Sequence, residues 1–176
     1  MEHWELYDIN RQKTGKIITR GEKVPAGYYH TVVHVCIFNQ KGEMLIQQRQ
    51  PFKQGWSNLW DVTVGGSAVA GDTSVQAAER EVFEELGLKI SLAGERPALT
   101  VSFSFGFDDV YIVLKDVDLN ELSLQMEEVQ QVKWASREEI MNMIDDKTFI
   151  SYHKSFINII FDLNLTKDVH SHFKDY

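Results

Sequence analysis

Three carboxylates, Glu81, Glu84 and Glu85, fall within five positions of the segment GDTSVQAAEREVFEELG, residues 71–87. On a helix, positions i, i+3 and i+4 share one strip of surface, so these side chains crowd together and repel by roughly 0.2–0.5 kcal/mol per pair. One outcome of such a pattern is a solvated acidic face, since exposed glutamate is common on helices. The other is a divalent-cation site, because hard ions such as Mg²⁺ take carboxylate oxygens, keep several waters and bridge to phosphate. Just upstream, DVTVGG ends in Gly65 and Gly66, where missing side chains let backbone come close to a ligand.

The helix that must carry these groups is marked by its period and its ends. Val75, Ala78, Val82 and Leu86 recur at i, i+3, i+7 and i+11, an apolar stripe roughly opposite the carboxylates, which are therefore expected to face solvent. Thr73 with Gln76 forms a capping box, Asp72 is the alternative cap, and Gly87 stands where helices commonly stop. Around this helix the chain reads as strands. HWELYDINRQKTGKIITR has the form of an opening hairpin, about residues 4–20, and residues 30–38 and 43–49 flank NQKG as a second one. DVTVGG reads as one short strand, LTVSFSFGFDDVYIVLKDV as two, and EEVQQVKWA as another. SREEIMNMIDD is a helix with Ser136 as N-cap and Glu139 at the capping-box position, and SYHKSFINIIFDLN a terminal amphipathic helix over about 151–164. No internal repeat or linker separates these elements, so the expectation is one α/β domain over 1–176 with a mixed sheet.

Composition limits the partners. In a chain of 176 residues, 18 basic against 26 acidic side chains give a net charge of −8, which argues against binding nucleic acid or an anionic membrane through bulk charge. The single cysteine, Cys36, excludes an intrachain disulfide, and its apolar run VVHVCIF reads as core. The opening MEHWELYDIN lacks the pattern of a leader, and no apolar run approaches about 18 residues. A soluble, cytoplasmic protein is expected.

Gly66, Asp72 and REVFEELGL, Arg80 to Leu88, together resemble the Nudix hydrolase signature G-x5-E-x7-R-E-U-x-E-E-x-G-U, where U is a bulky aliphatic residue. Eight of its nine specified positions match, the departure being Asp72 for Glu. The resemblance implies a Nudix-type α/β/α sandwich and metal-dependent hydrolysis of a diphosphate bond in a nucleoside diphosphate linked to another group. It implies that Glu81 and Glu85 ligate Mg²⁺ or Mn²⁺, with Glu84 a further ligand or a proton acceptor for the attacking water. It further implies that Gly65 or Gly66 offers a backbone carbonyl and that Arg80 orients the carboxylates with Asp72 as its partner. Glu127, Glu128, Asp108 and Asp109 remain open as alternative bases. The expected partner is a small-molecule diphosphate, with a homodimer left open.

The stretch YYHTVVHVCIFNQKGEMLIQQRQPFKQGWSNLWDVTVGGS is also similar to isopentenyl-diphosphate isomerases, which share the Nudix fold. Where those enzymes need a cysteine and a metal-binding histidine, this chain has Gly65 and Ser67, so the isomerase is the alternative reading, beside a non-catalytic nucleotide-binding module. His30 matches an isomerase metal ligand, although a histidine beside a strand is more often simply hydrogen-bonded. Arg49 and Lys53 align with basic residues near the diphosphate and are the candidate substrate-binding cations.

Overall fold

Alternating apolar and polar residues form the strands, and local side-chain bonds turn the chain between them. The computed structural model describes residues 2–166; the expected domain limits at 1 and 176 lie outside them. In order, the strands are β1 (His3–Tyr7), β2 (Lys13–Thr19), β3 (His30–Phe38), β4 (Met44–Arg49), β5 (Trp60–Asp61), β6 (Val64–Ser67), β7 (Leu99–Phe103), β8 (Gly106–Leu114) and β9 (Val129–Ala135). The helices are α1 (Ser74–Leu86), α2 (Arg137–Asp145) and α3 (Lys154–Thr166). Two compact units result: one runs through Val35 and takes in Val64–Tyr111, and the other comprises Cys36–Thr63 and the chain from Ile112 onward.

In the first unit β1 and β2 form the expected antiparallel hairpin. At its tip Asp8 Oδ1 accepts from the N–H groups of Asn10 and Gln12, and Arg11 takes a φ of 59°. Strand β6 runs antiparallel to β3, and β7 antiparallel to β8. Strands β3 and β8, which each run from the first unit into the second, are parallel neighbours: the His30 N–H donates to Phe105 O near their starts and the Lys115 N–H to Phe38 O at their ends. The sheet is therefore mixed, as expected.

Helix α1 has both halves of its capping box: Thr73 Oγ1 accepts from the Gln76 N–H, and the Gln76 side chain accepts from the Thr73 N–H. Thr73, not Asp72, is thus the cap. Gly87 closes the helix at φ 66°, a left-handed conformation that glycine adopts without a Cβ clash.

In the second unit β4 pairs along its length with β9, and meets β3 and β5 at its two ends. The segment DVTVGG is not one strand but contributes to β5 and β6 with Val62 and Thr63 between. The Thr63 hydroxyl explains the break, since it donates to Leu45 O and accepts from the Ile37 N–H, so a side chain makes the bonds here. Ser136 caps α2 by accepting from the Glu139 N–H, while the Glu139 carboxylate pairs with Lys133 instead of completing a box. Phe38 and Phe161 meet edge to face at 5.0 Å in a core shared with Ile157 and Ile160. Cys36 is buried, as its sequence setting implies.

Candidate active site

Arg80 answers the crowding on α1. Its Nε donates to Asp72 Oδ2 at 3.0 Å and one terminal nitrogen to Glu81 Oε1 at 2.9 Å and Glu84 Oε2 at 3.1 Å. The other donates to the Ser67 carbonyl at 3.1 Å. One planar guanidinium thus joins the loop before the helix, the end of β6 and two of the three clustered carboxylates. Burial opposes its charge, yet attraction to Glu81 and the bond to Asp72 hold its pKa above the ordinary value. The shorter Asp72 side chain reaches Arg80 because the Val69–Asp72 turn, closed by the Asp72 N–H on Val69 O, folds back beside the helix. Ser67 entered the sequence reading only as the residue at an isomerase histidine position, and its carbonyl could not be assigned from residue type.

The carboxylates do not form the solvent-facing strip that periodicity suggests. Glu84 is half-exposed at 49%, but the Glu81 side chain is 14% exposed and Glu85 only 6%. The reason lies in β6. A Cβ placed on Gly66 would come within 2.5 Å of Glu81 Oε2, so the bare backbone at this position makes room for the carboxylate. The helix therefore buries an arc wider than its apolar stripe: Ala77 and Glu85 are enclosed with Ala78, Val82 and Leu86, while Val75 is half-buried. Burial pushes the Glu81 carboxyl up from its usual range; Arg80 opposes this, and the negative charges of Glu84 and Glu2 add to it.

Glu2, on the first residue before β1, was not singled out in the sequence. Its carboxylate accepts from the Trp4 indole at 2.9 Å and from Arg20 at 2.7 Å. The hairpin is also bonded to the loop ahead of α1, where the Ala70 N–H donates to His3 O at 2.8 Å. Nothing local in the sequence signals either contact.

The remaining candidates divide according to their bonds. Asp109 is 1% exposed. Both its oxygens accept from Arg11, at 3.1 and 2.6 Å, and Oδ1 also accepts from Thr100 at 2.6 Å. Burial works against its charge, but the Arg11 and Thr100 bonds hold its pKa below the usual range, which suits a structural anchor better than a base. Asp108 Oδ1 lies 2.8 Å from His34 Nδ1. His30, expected to be hydrogen-bonded, has a buried Nδ1 without a partner. Its ring stacks on Trp4 at 4.4 Å and 7°, and burial lowers its pKa. In the second unit Lys53 pairs with Glu128, Arg49 Nε is buried without a hydrogen-bond partner, and Glu127 is exposed.

Among the described residues no three His, Cys, Asp or Glu side chains already converge as a cation site. The donor chemistry nevertheless fits a hard divalent ion, because such ions take carboxylate oxygens, and Glu81 brings them to glycine backbone while Glu85 is buried on the same helix.

The family profile described as NUDIX domain matches residues 28–156. The chain belongs to the Nudix family. It is 48% identical over 170 residues to a Listeria monocytogenes protein named an uncharacterized Nudix hydrolase, across 97% of this chain and 99% of that one. A Deinococcus radiodurans crystal structure superposes with a TM-score of 0.70 over 90% of this chain and 97% of that one, at 24% identity, and so has the same fold. An isopentenyl-diphosphate Delta-isomerase of Pectobacterium atrosepticum is 32% identical over 104 residues, spanning 59% of this chain and 56% of that one. This Nudix protein is an enzyme of the pyrophosphohydrolase kind. The isomerase likeness stops short of the chemistry: a side chain at Gly65, where the isomerase thiol would stand, would put its Cβ 2.9 Å from the His34 ring. Among the described residues no helix is long and apolar enough to cross a membrane.

Proposed function

We propose that this protein hydrolyses a diphosphate bond in a nucleoside diphosphate linked to a second group, using Mg²⁺ or Mn²⁺, as one Nudix domain. The observation that carries this reading is Arg80 holding Asp72, Glu81 and Glu84 around the end of the diglycine strand, with Glu85 buried on the same helix. Glu81 and Glu85 would hold the ion, with the Gly65 carbonyl beside them. When bound, a divalent cation neutralises phosphate oxygens and lowers the pKa of coordinated water. Arg80 orients Glu81 and Glu84, and Asp72 fixes Arg80. Gly66 keeps the backbone clear of Glu81. The proton of the attacking water goes to Glu84, whose carboxylate is open to solvent while also bonded to Arg80. Arg49 and Lys53 are the proposed cations for the substrate's anionic groups.

The test is a screen of nucleoside di- and triphosphates, nucleotide sugars, ADP-ribose, dinucleotides and coenzyme A with Mg²⁺ or Mn²⁺, with products read by mass spectrometry. Hydrolysis of at least one diphosphate is expected, with a loss of about 100-fold in Glu85→Gln, which keeps the shape of the buried side chain but removes its charge. Full activity in Glu85→Gln, or in excess chelator, would overturn the assignment.

A further inference from the structure

In an antiparallel pair, residues directly opposite share a face and successive residues alternate. His34 stands opposite Gly65 and Val33 opposite Gly66, so the two glycines open to opposite faces of the β3–β6 pair. On one face Glu81 occupies the space of the missing Gly66 side chain. On the other the His34 ring occupies that of Gly65, where a Cβ would lie 2.9 Å from both Cδ2 and Nε2. The diglycine backbone is thereby held between an imidazole and a carboxylate. The imidazole is itself braced: Asp108, on β8, meets Nδ1 at 2.8 Å, and both side chains are largely buried, at 14% and 17% exposure. A carboxylate at Nδ1 fixes the ring's tautomer and orientation, the arrangement by which outer partners orient groups around metal ions. An apolar side chain would fill the same volume without the cost of desolvating a polar pair.

We propose that His34, braced by Asp108, is a positioning residue that sets the depth of the Gly65–Gly66 backbone, and through it the placement of the Gly65 carbonyl and of Glu81 toward the cation. This rests on the metal-dependent reading above. Neither side chain touches the reacting atoms; the pair acts through the strand.

The experiment measures Mn²⁺ affinity by electron paramagnetic resonance, and the Mg²⁺ dependence of turnover, in the full chain. The variants are His34→Ala, Asp108→Ala, Asp108→Asn, Gly65→Ala and the double variant Gly65→Ala with His34→Ala, each checked for folding by circular dichroism. His34→Ala should weaken Mn²⁺ binding about 10-fold, with turnover largely recovered at saturating Mg²⁺. Asp108→Asn, whose amide oxygen still accepts from Nδ1, should lose less than Asp108→Ala. Gly65→Ala should also weaken Mn²⁺ binding, and adding His34→Ala should restore part of the loss, because the ring that meets the new methyl is gone. Should His34→Ala not fold, the two Asp108 variants decide by the same readout. Wild-type Mn²⁺ affinity in His34→Ala or Asp108→Ala, or losses in the double variant that simply multiply, would overturn the proposal alone. Absence of Mn²⁺ binding by the wild-type chain would overturn the metal-dependent reading with it.

Discussion

Arg80 and Arg49 are the same side chain used in opposite ways in two regions of the molecule. On α1, every nitrogen of Arg80 donates to protein: Asp72, Glu81, Glu84 and the Ser67 carbonyl. At the end of β4, Arg49 keeps a buried Nε with no hydrogen-bond partner. A guanidinium bonded through all three nitrogens fixes geometry, whereas a buried unmatched donor is costly and is relieved when an acceptor arrives. The difference teaches that candidate cations are sorted by what already holds them. Charge alone would rank the two arginines equally.

Conservative replacement gives the sharpest test, and the largest effect belongs to Arg80. Lysine retains the charge but offers a single nitrogen, which cannot bridge a loop, a strand carbonyl and two glutamates at once. Arg80→Lys should therefore lower kcat by about 100-fold by releasing the carboxylates. Arg49→Lys should raise KM by about 10-fold and leave kcat nearly unchanged, since a point charge still attracts an anion but loses the forked hydrogen bonds. Steady-state kinetics on the best substrate separates the two. A pure KM effect at Arg80, or equal kcat losses at both, would break the contrast.

A smaller effect is expected at Asp72, the one departure from the Nudix signature. Because Thr73 supplies the helix cap, Asp72→Ala should cost less than about 1 kcal/mol of stability, below the usual loss for a cap. It removes the acceptor at Arg80 Nε while leaving three others, so turnover should fall about 10-fold and recover in part at higher Mg²⁺. Unchanged turnover would show that Glu81, Glu84 and Ser67 orient Arg80 unaided.

These residues also show what a sequence encodes. The limits of α1 were legible because caps are local: Thr73 with Gln76 and Gly87 lie within the reach of one turn. The Asp72–Arg80 pair followed from family spacing, and the structure has that contact. Burial of Glu85 was not legible, since a helical period distinguishes apolar from polar but not a solvated carboxylate from a buried one. Only the bare backbone of Gly66 explains how closely Glu81 and β6 approach. The pairs His34–Asp108 and Arg11–Asp109 join residues 74 and 98 positions apart, beyond any local period. The break between β5 and β6 was hidden for another reason: Thr63 has high strand propensity, and its hydroxyl bonds override it.

The smallest expected effect tests the other candidate cation, Lys53. It pairs with Glu128, which the family resemblance leaves open as an alternative proton acceptor. Glu128→Gln removes the charge and keeps the shape, so the two roles predict different kinetic constants. If Glu128 only occupies Lys53, the variant frees the ammonium for a diphosphate: KM should fall about 2-fold, kcat should hold, and the gain should shrink as salt rises, the screening length falling from about 10 Å at 0.1 M to about 3 Å at 1 M. If Glu128 accepts the water's proton, kcat should instead drop by about 100-fold or more. The first outcome is expected, because the proposed reaction sends the water's proton to Glu84 and leaves Glu128 as the partner of Lys53. A lower KM with salt sensitivity would extend the lesson of the two arginines to Lys53: a cation already held by protein contributes little to binding until its partner is removed.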